Sequence, residues 1–288
     1  MRRLLLFVCV ALLATAPARS EPLKVVATFS ILGDLVRNVG GKAVEVTTLV
    51  GPDSDAHVYS PTPLDAKKIA DARLIVVNGL GFEGWLPRLV QSSGSKATIV
   101  TASNGITPLR LGTDADPHAW QSVNNAKIYV ANISAALAAA DPSAADQLMA
   151  NTQAYLARLD ALDREVRDAV AKLPPARRKV ISTHNAFGYF AAAYGIEFIA
   201  PLGVSTESEP SARDLARIIT QIKQAKIPAV FLENITDPRL MQRISAETGA
   251  RVGGTLYSDG LTGEKGDAPT YIDMVRHNIK ALTRALGD

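Results

Sequence analysis

Residues 141–173 read DPSAADQLMANTQAYLARLDALDREVRDAVAKL, and this stretch decides the fold. Leu148, Tyr155, Leu159, Leu162, Val166 and Val170 recur at spacings of three, four and seven residues, which draws one apolar stripe along a helix. Asp141 suits the N-cap and Pro142 the first helical position, and Pro174-Pro175 stops the helix at its far end. At ~1.5 Å per residue, a helix of ~30 residues is ~45 Å long, enough to run the length of a two-lobed protein. The segment predicts a rigid strut.

Outward from the strut, both flanks alternate short β-branched runs with helical segments. Before it stand Lys24–Thr28, a helix from about Ile31, Val44–Val50, Leu74–Val77 and Thr98–Val100. After it stand Lys179–Ser182, Glu197–Ile199, Ala229–Leu232 and Val252–Leu256. Such alternation predicts βαβ units on mainly parallel sheets. The expected fold class is therefore α/β, with two lobes joined by one long helix: residues 21–140, 141–173 and 174–288.

Residues 1–20 have the layout of a secretory signal peptide, with Arg2 and Arg3, an apolar run from Leu4 to Leu13, and small residues at Ala16, Ala18 and Ser20. Their removal predicts a periplasmic protein. Taking Arg2, Arg3 and Arg19 from the 31 Lys and Arg leaves 28, against 28 Asp and Glu, so the mature chain is near neutral. It has no basic, aromatic-interleaved cluster, and nucleic-acid binding is set aside. The lone cysteine, Cys9, lies in the leader behind Leu6-Phe7-Val8 and not behind the small residues of a lipoprotein cleavage site. No disulfide or lipid anchor is expected, and any metal must be held by His and carboxylate.

His57, His118 and His184 each lie in a polar loop that follows a β-like run, and Asp259 has the same kind of place in Tyr257-Ser258-Asp259-Gly260. Singly, each has an ordinary explanation: a surface histidine, a helix entry with Asp116 as cap, a strand end, a turn acceptor. Jointly they mean more, because open α/β sheets bind ligands beyond the carboxyl ends of their strands, and each lobe supplies two candidates. Three imidazoles and one carboxylate are the four ligands of a closed zinc site between the lobes. His277, between Arg276 and Asn278, is read as part of a solvated helix face. Asn185, Glu207, Glu209 and Asn234 are candidates to receive the second ring N–H of a metal-bound histidine, or to shape a loop. Trp85, Trp120 and Tyr59 are candidates to wall the site from water.

The chain resembles the periplasmic metal-binding proteins of bacterial zinc and manganese ABC importers (the cluster A-I, or cluster 9, family). Five stretches carry the resemblance in order: His57–Pro63, Asn78–Leu86, Asp116–Trp120, Ser182–Phe190 and Tyr257–Asp259. It implies a binding protein and not an enzyme, with metal in the inter-lobe cleft on His57, His118, His184 and Asp259. It also implies delivery to an inner-membrane permease with a cytoplasmic ATPase. In that family the third ligand tends to be His in zinc binders and Glu in manganese binders, so His184 implies zinc as the transported ion, with manganese the alternative. The histidine-rich loop that many zinc members carry before the third motif is replaced by the short stretch 105–115. Metal then arrives as the free ion, from a periplasmic metallochaperone, or through another mobile loop such as Val204–Pro210. The chain is expected to be a monomer. A zinc hydrolase and a metal-stabilised adhesin are the readings from other classes. Four protein ligands, and the lack of an H-E-x-x-H helix or a nucleophile elbow, weigh against the hydrolase.

Overall fold

The computed structural model describes residues 21–287, and the expected signal peptide at 1–20 lies outside them. Four strands form the first sheet: β1 (Leu23–Phe29), β2 (Val44–Val50), β3 (Leu74–Val77) and β4 (Thr98–Thr101). They are parallel and ordered β2-β1-β3-β4. After a short antiparallel pair, β5 (Arg110–Leu111) and β6 (Asp114–Ala115), a second parallel sheet is built from β7 (Lys179–Ile181), β8 (Glu197–Ile199), β9 (Ala229–Glu233) and β10 (Arg251–Leu256). Its order is β10-β9-β7-β8. Both sheets therefore wind the same way, with the second strand, the first, the third and the fourth side by side. In each, the order reverses at the first strand, which leaves a crevice beyond the carboxyl ends.

Helices α1 (Ser30–Gly40), α2 (Pro63–Asp71) and α3 (Leu86–Ser93) serve the first sheet, and α6 (Gly188–Tyr194), α7 (Ala212–Ala225) and α8 (Arg239–Thr248) the second. Three long helices lie between: α4 (Val123–Ala140), α5 (Ala145–Ala171) and α9 (Tyr271–Gly287). All six residues of the predicted stripe on α5 are buried. The strut differs from expectation at its start. Asp141 caps a 3-10 turn at Pro142–Ala144, with Oδ1 accepting from the Ser143 amide, and the α-helix begins only at Ala145. The Asp-Pro pair thus turns α4 back onto α5.

One apolar cluster crosses the whole molecule, from Val25 and Leu32 through Leu159 and Leu162 to Val180, Phe231 and Leu286. Both lobes share this core with α5, so wide separation of the lobes would expose it to water. Leu162 is fully buried at the middle of α5. Leu162→Ala should lower the unfolding free energy by about 2–5 kcal/mol in a denaturant titration of the metal-free protein. No helix among the described residues is long and apolar enough to cross a membrane.

Candidate metal centre

His57 lies between β2 and α2, His184 between β7 and α6, and Asp259 beyond β10. Each leaves the carboxyl end of a parallel strand. His118 differs from the sequence reading: it follows the small β5–β6 pair and is the residue before a 3-10 turn at Ala119–Gln121. Its backbone (φ −82°, ψ 41°) is the centre of a tight turn in which the Ala119 amide donates to the Pro117 carbonyl at 2.9 Å.

The four side chains meet. Nε2 of His118 stands 3.2 Å from Nε2 of His57 and 3.3 Å from Nε2 of His184. Oδ2 of Asp259 is 3.2 Å from Nε2 of His57 and 3.1 Å from that of His184, and Oδ1 is 3.4 Å from Nε2 of His118. One ligand atom from each residue lies within 4.8 Å of all the others. His118, His184 and Asp259 are 0 % exposed and His57 7 %. Neither Asp259 oxygen accepts an aligned hydrogen bond from the protein. A buried carboxylate left so is costly, and a cation among the three ring nitrogens removes the cost.

Electrostatics point the same way. Burial pushes the Asp259 carboxyl up, but the charges of His118 and His184 override it and hold the group well below the usual carboxylate range. Burial likewise opposes charge on both imidazoles, and the acids override it again. Asp259 and Asp116 raise His118, while Glu233 and Asp259 hold His184 well above its ordinary value. The cavity favours positive charge.

The outer ring nitrogens have carboxylates of their own. Nδ1 of His118 is 2.7 Å from Asp116 Oδ1, which also accepts from the His118 amide at 2.9 Å. Asp116 is thus both the expected turn cap and the partner that orients the ring. Nδ1 of His184 is 2.6 Å from Glu233 Oε2, while Glu233 Oε1 accepts from the Thr183 and His184 amides at 2.7 and 3.0 Å. Glu233 was not among the sequence candidates. The signal available for it was an acid closing an apolar strand run, one residue before Asn234.

The four candidates for that role lie elsewhere. Asn185 donates to the Leu202 carbonyl, and Asn234 to Asp53 and the Gly260 carbonyl. Glu207 and Glu209 are exposed in their loop. That loop joins the site through Thr206, whose hydroxyl donates to Asp55 Oδ2, while Asp55 Oδ1 accepts the His57 amide. Trp120 packs edge-on against His118 and donates to the Ser258 carbonyl beside Asp259. Phe82, unforeseen, packs against His57. Trp85 and Tyr59 pack on each other, one step back, with Trp85 donating to the Ala56 carbonyl. His277 is half-buried and not on a solvated face: Nε2 meets the Thr255 carbonyl and the ring packs on Tyr257.

Gly188 explains how Asp116 fits. A Cβ there would lie 2.5 Å from Asp116 Oδ2. The absent side chain lets the start of α6 close over the carboxylate that holds His118.

Comparison with known proteins agrees with this architecture. The family model described as zinc-uptake complex component A, periplasmic, matches residues 25–285. The iron-binding protein YfeA of Yersinia pestis is 35 % identical over 274 residues, covering 93 % of this chain and 88 % of its own. The manganese-binding lipoprotein MntA of Halalkalibacterium halodurans is 35 % identical over 268 residues, covering 92 % and 89 %. Among solved structures, the periplasmic zinc-binding protein TroA of Treponema pallidum superposes with a TM-score of 0.88 at 32 % identity, covering 92 % of this chain and 99 % of that one.

Proposed function

The chain belongs to the family of the periplasmic zinc-uptake component A, and from that premise we propose that it captures zinc with His57, His118, His184 and Asp259. Proteins of this family are metal-binding components of ABC transporters and not enzymes, which sets the hydrolase reading aside. They work with a membrane permease and its ATPase. In our reading a leader at 1–20 directs this chain to the periplasm, where it acts as a monomer on free zinc or on zinc from a metallochaperone.

One observation carries the choice of ligands. A tetrahedral zinc ion with bonds of ~2.0–2.1 Å places its ligand atoms ~3.3–3.4 Å apart. With Oδ2 of Asp259 as the fourth ligand atom, four of the six ligand-to-ligand separations lie between 3.1 and 3.3 Å. Three imidazoles with a single carboxylate also suit a borderline-soft ion better than manganese, which prefers more oxygen. The second reading is manganese, favoured by the names of relatives such as MntA and by Asp259 presenting both of its oxygens.

Competitive titration of chelator-stripped protein with zinc and manganese tests the proposal. Reversible one-to-one binding with zinc the tighter is expected, and manganese winning the competition, or no binding, would overturn it. The sign of the pH dependence follows from the raised imidazoles. In metal-free protein their protonated forms contribute stability that is present below the unfolded histidine value of about 6.5 and lost as pH rises through the raised folded values. Metal must displace those protons, so affinity falls with falling pH. The zinc-induced rise in melting temperature should therefore grow between about pH 5 and 8, and a rise that shrinks across that range would contradict the ligand assignment.

A further inference from the structure

We infer that Asn78, held in place by Glu83, is a positioning residue for His118, and that it acts by clamping the Pro117 carbonyl from beneath the turn. The inference rests on the ligand role proposed for His118.

Asn78 follows β3 and is 0 % exposed, 39 positions before the carbonyl it clamps. Its Nδ2 donates to the Pro117 carbonyl at 2.9 Å and to its neighbour, the Gly79 carbonyl, at 2.9 Å. Its Oδ1 accepts from the Tyr129 hydroxyl, and its own carbonyl accepts from Ser103 Oγ at 2.6 Å. Every polar group of the residue is used, so the amide has one orientation.

Glu83 supplies the anchor. Its Oε1 accepts from the Asn78 amide at 2.6 Å and from Thr28 Oγ1 at 2.7 Å, and its Oε2 accepts from the Gly79 amide at 3.1 Å. The chain must turn sharply for two successive amides to face one carboxylate. Gly79 allows it, with φ +81° and no room for a side chain, since a Cβ would lie 2.5 Å from Thr101. The order Asn78-Gly79 followed four residues later by Glu83 thus builds one clasp.

The clasp reaches His118 by a short route. The Pro117 carbonyl already accepts the Ala119 amide, which closes the turn centred on His118. A second donor on the same oxygen fixes the plane of the Pro117–His118 peptide. Asp116 at Nδ1 then fixes the ring. At His57 the preceding peptide is held differently, with Trp85 Nε1 donating to the Ala56 carbonyl at 2.8 Å and the His57 amide donating to Asp55. His118 stands within 3.4 Å of each of the three other ligands, so an error in its position is shared by each contact.

The test uses the full chain with Asn78→Ala and Asn78→Ser, the serine being too short to reach Pro117. Ser103→Ala serves as the control, because it removes a bond to the same residue without touching the clamp. Zinc affinity is measured by competition, the ligand field by the visible spectrum of the cobalt-loaded protein, and the fold by melting of the metal-free protein. Both Asn78 variants should weaken zinc by about tenfold to a hundredfold and alter the cobalt bands, while Ser103→Ala leaves both unchanged. Wild-type affinity and spectrum in either folded Asn78 variant overturns the inference. So does an equal loss in Ser103→Ala, which would mark general softening of the lobe. If the wild-type chain itself binds neither zinc nor cobalt, it is the proposed function that fails.

Discussion

Asp259→Asn should lose tight metal binding altogether, the largest single effect expected in this protein. The side chain is the only acid among the four ligands and is wholly buried, with no protein donor aligned on either oxygen. Removing it leaves a dication facing three neutral rings in a medium that screens poorly. Breaking a buried charge pair costs about 3–5 kcal/mol, which is on the order of a thousandfold in Kd. Competition titration reads this loss directly. Stability of the metal-free protein supplies an independent sign. In the wild type, Asp259 and the raised His118 and His184 hold one another charged, a contribution present above the ordinary carboxylate value and lost as pH climbs through the raised imidazole values. Metal-free Asp259→Asn should therefore melt below the wild type at pH 5, and the gap should close as pH rises through the raised imidazole values. A variant that keeps wild-type zinc affinity, or a gap that widens with pH, would remove Asp259 from the ligand set.

Much of this arrangement was legible because the two sheets use ordinary signals. Val44–Val50 and Leu74–Val77 are strands as read, and all six stripe residues of α5 are buried as the periodicity requires. The convergence of His57, His184 and Asp259 followed from their places after strands. His118 was found for a partly mistaken reason, since the run before it is a two-residue hairpin strand and not part of either parallel sheet. Its true support, a turn held by Asp116 and Asn78, involves a contact 39 positions away that no local pattern shows. The break between α4 and α5 was hidden because Asp-Pro starts a 3-10 turn as readily as an α-helix. Glu233 was missed by a single position. Strand alternation turns Glu233 toward His184, and the next residue, Asn234, toward Asp53, so the polar residue beyond the strand was the wrong choice.

Glu233→Gln should weaken zinc severely although it replaces one oxygen by one nitrogen. Oε1 accepts two buried backbone amides, those of Thr183 and His184, and Oε2 faces Nδ1 of His184 at 2.6 Å. An amide placed here has only one tolerable orientation. Its oxygen must stay on the two N–H groups, because turning the NH2 toward them would leave buried donors unpaired at about 1–3 kcal/mol each. The NH2 then points at Nδ1. A donor there is matched only by a ring nitrogen without hydrogen, so the single proton of neutral His184 moves to Nε2, the atom assigned to the metal. Zinc binding must first reverse that tautomer and break the new hydrogen bond. Affinity should fall at least about tenfold to a hundredfold, with the metal-free fold retained because both backbone bonds survive. Ring nitrogen-15 shifts of His184 would report the proton on Nε2, and competition titration the lost affinity. Glu209→Gln, in the exposed loop, should change neither reading. Wild-type affinity in Glu233→Gln would mean that the carboxylate serves only the two amides. Loss of affinity together with the tautomer shift would mean that Glu233 sets which nitrogen of His184 is free for metal.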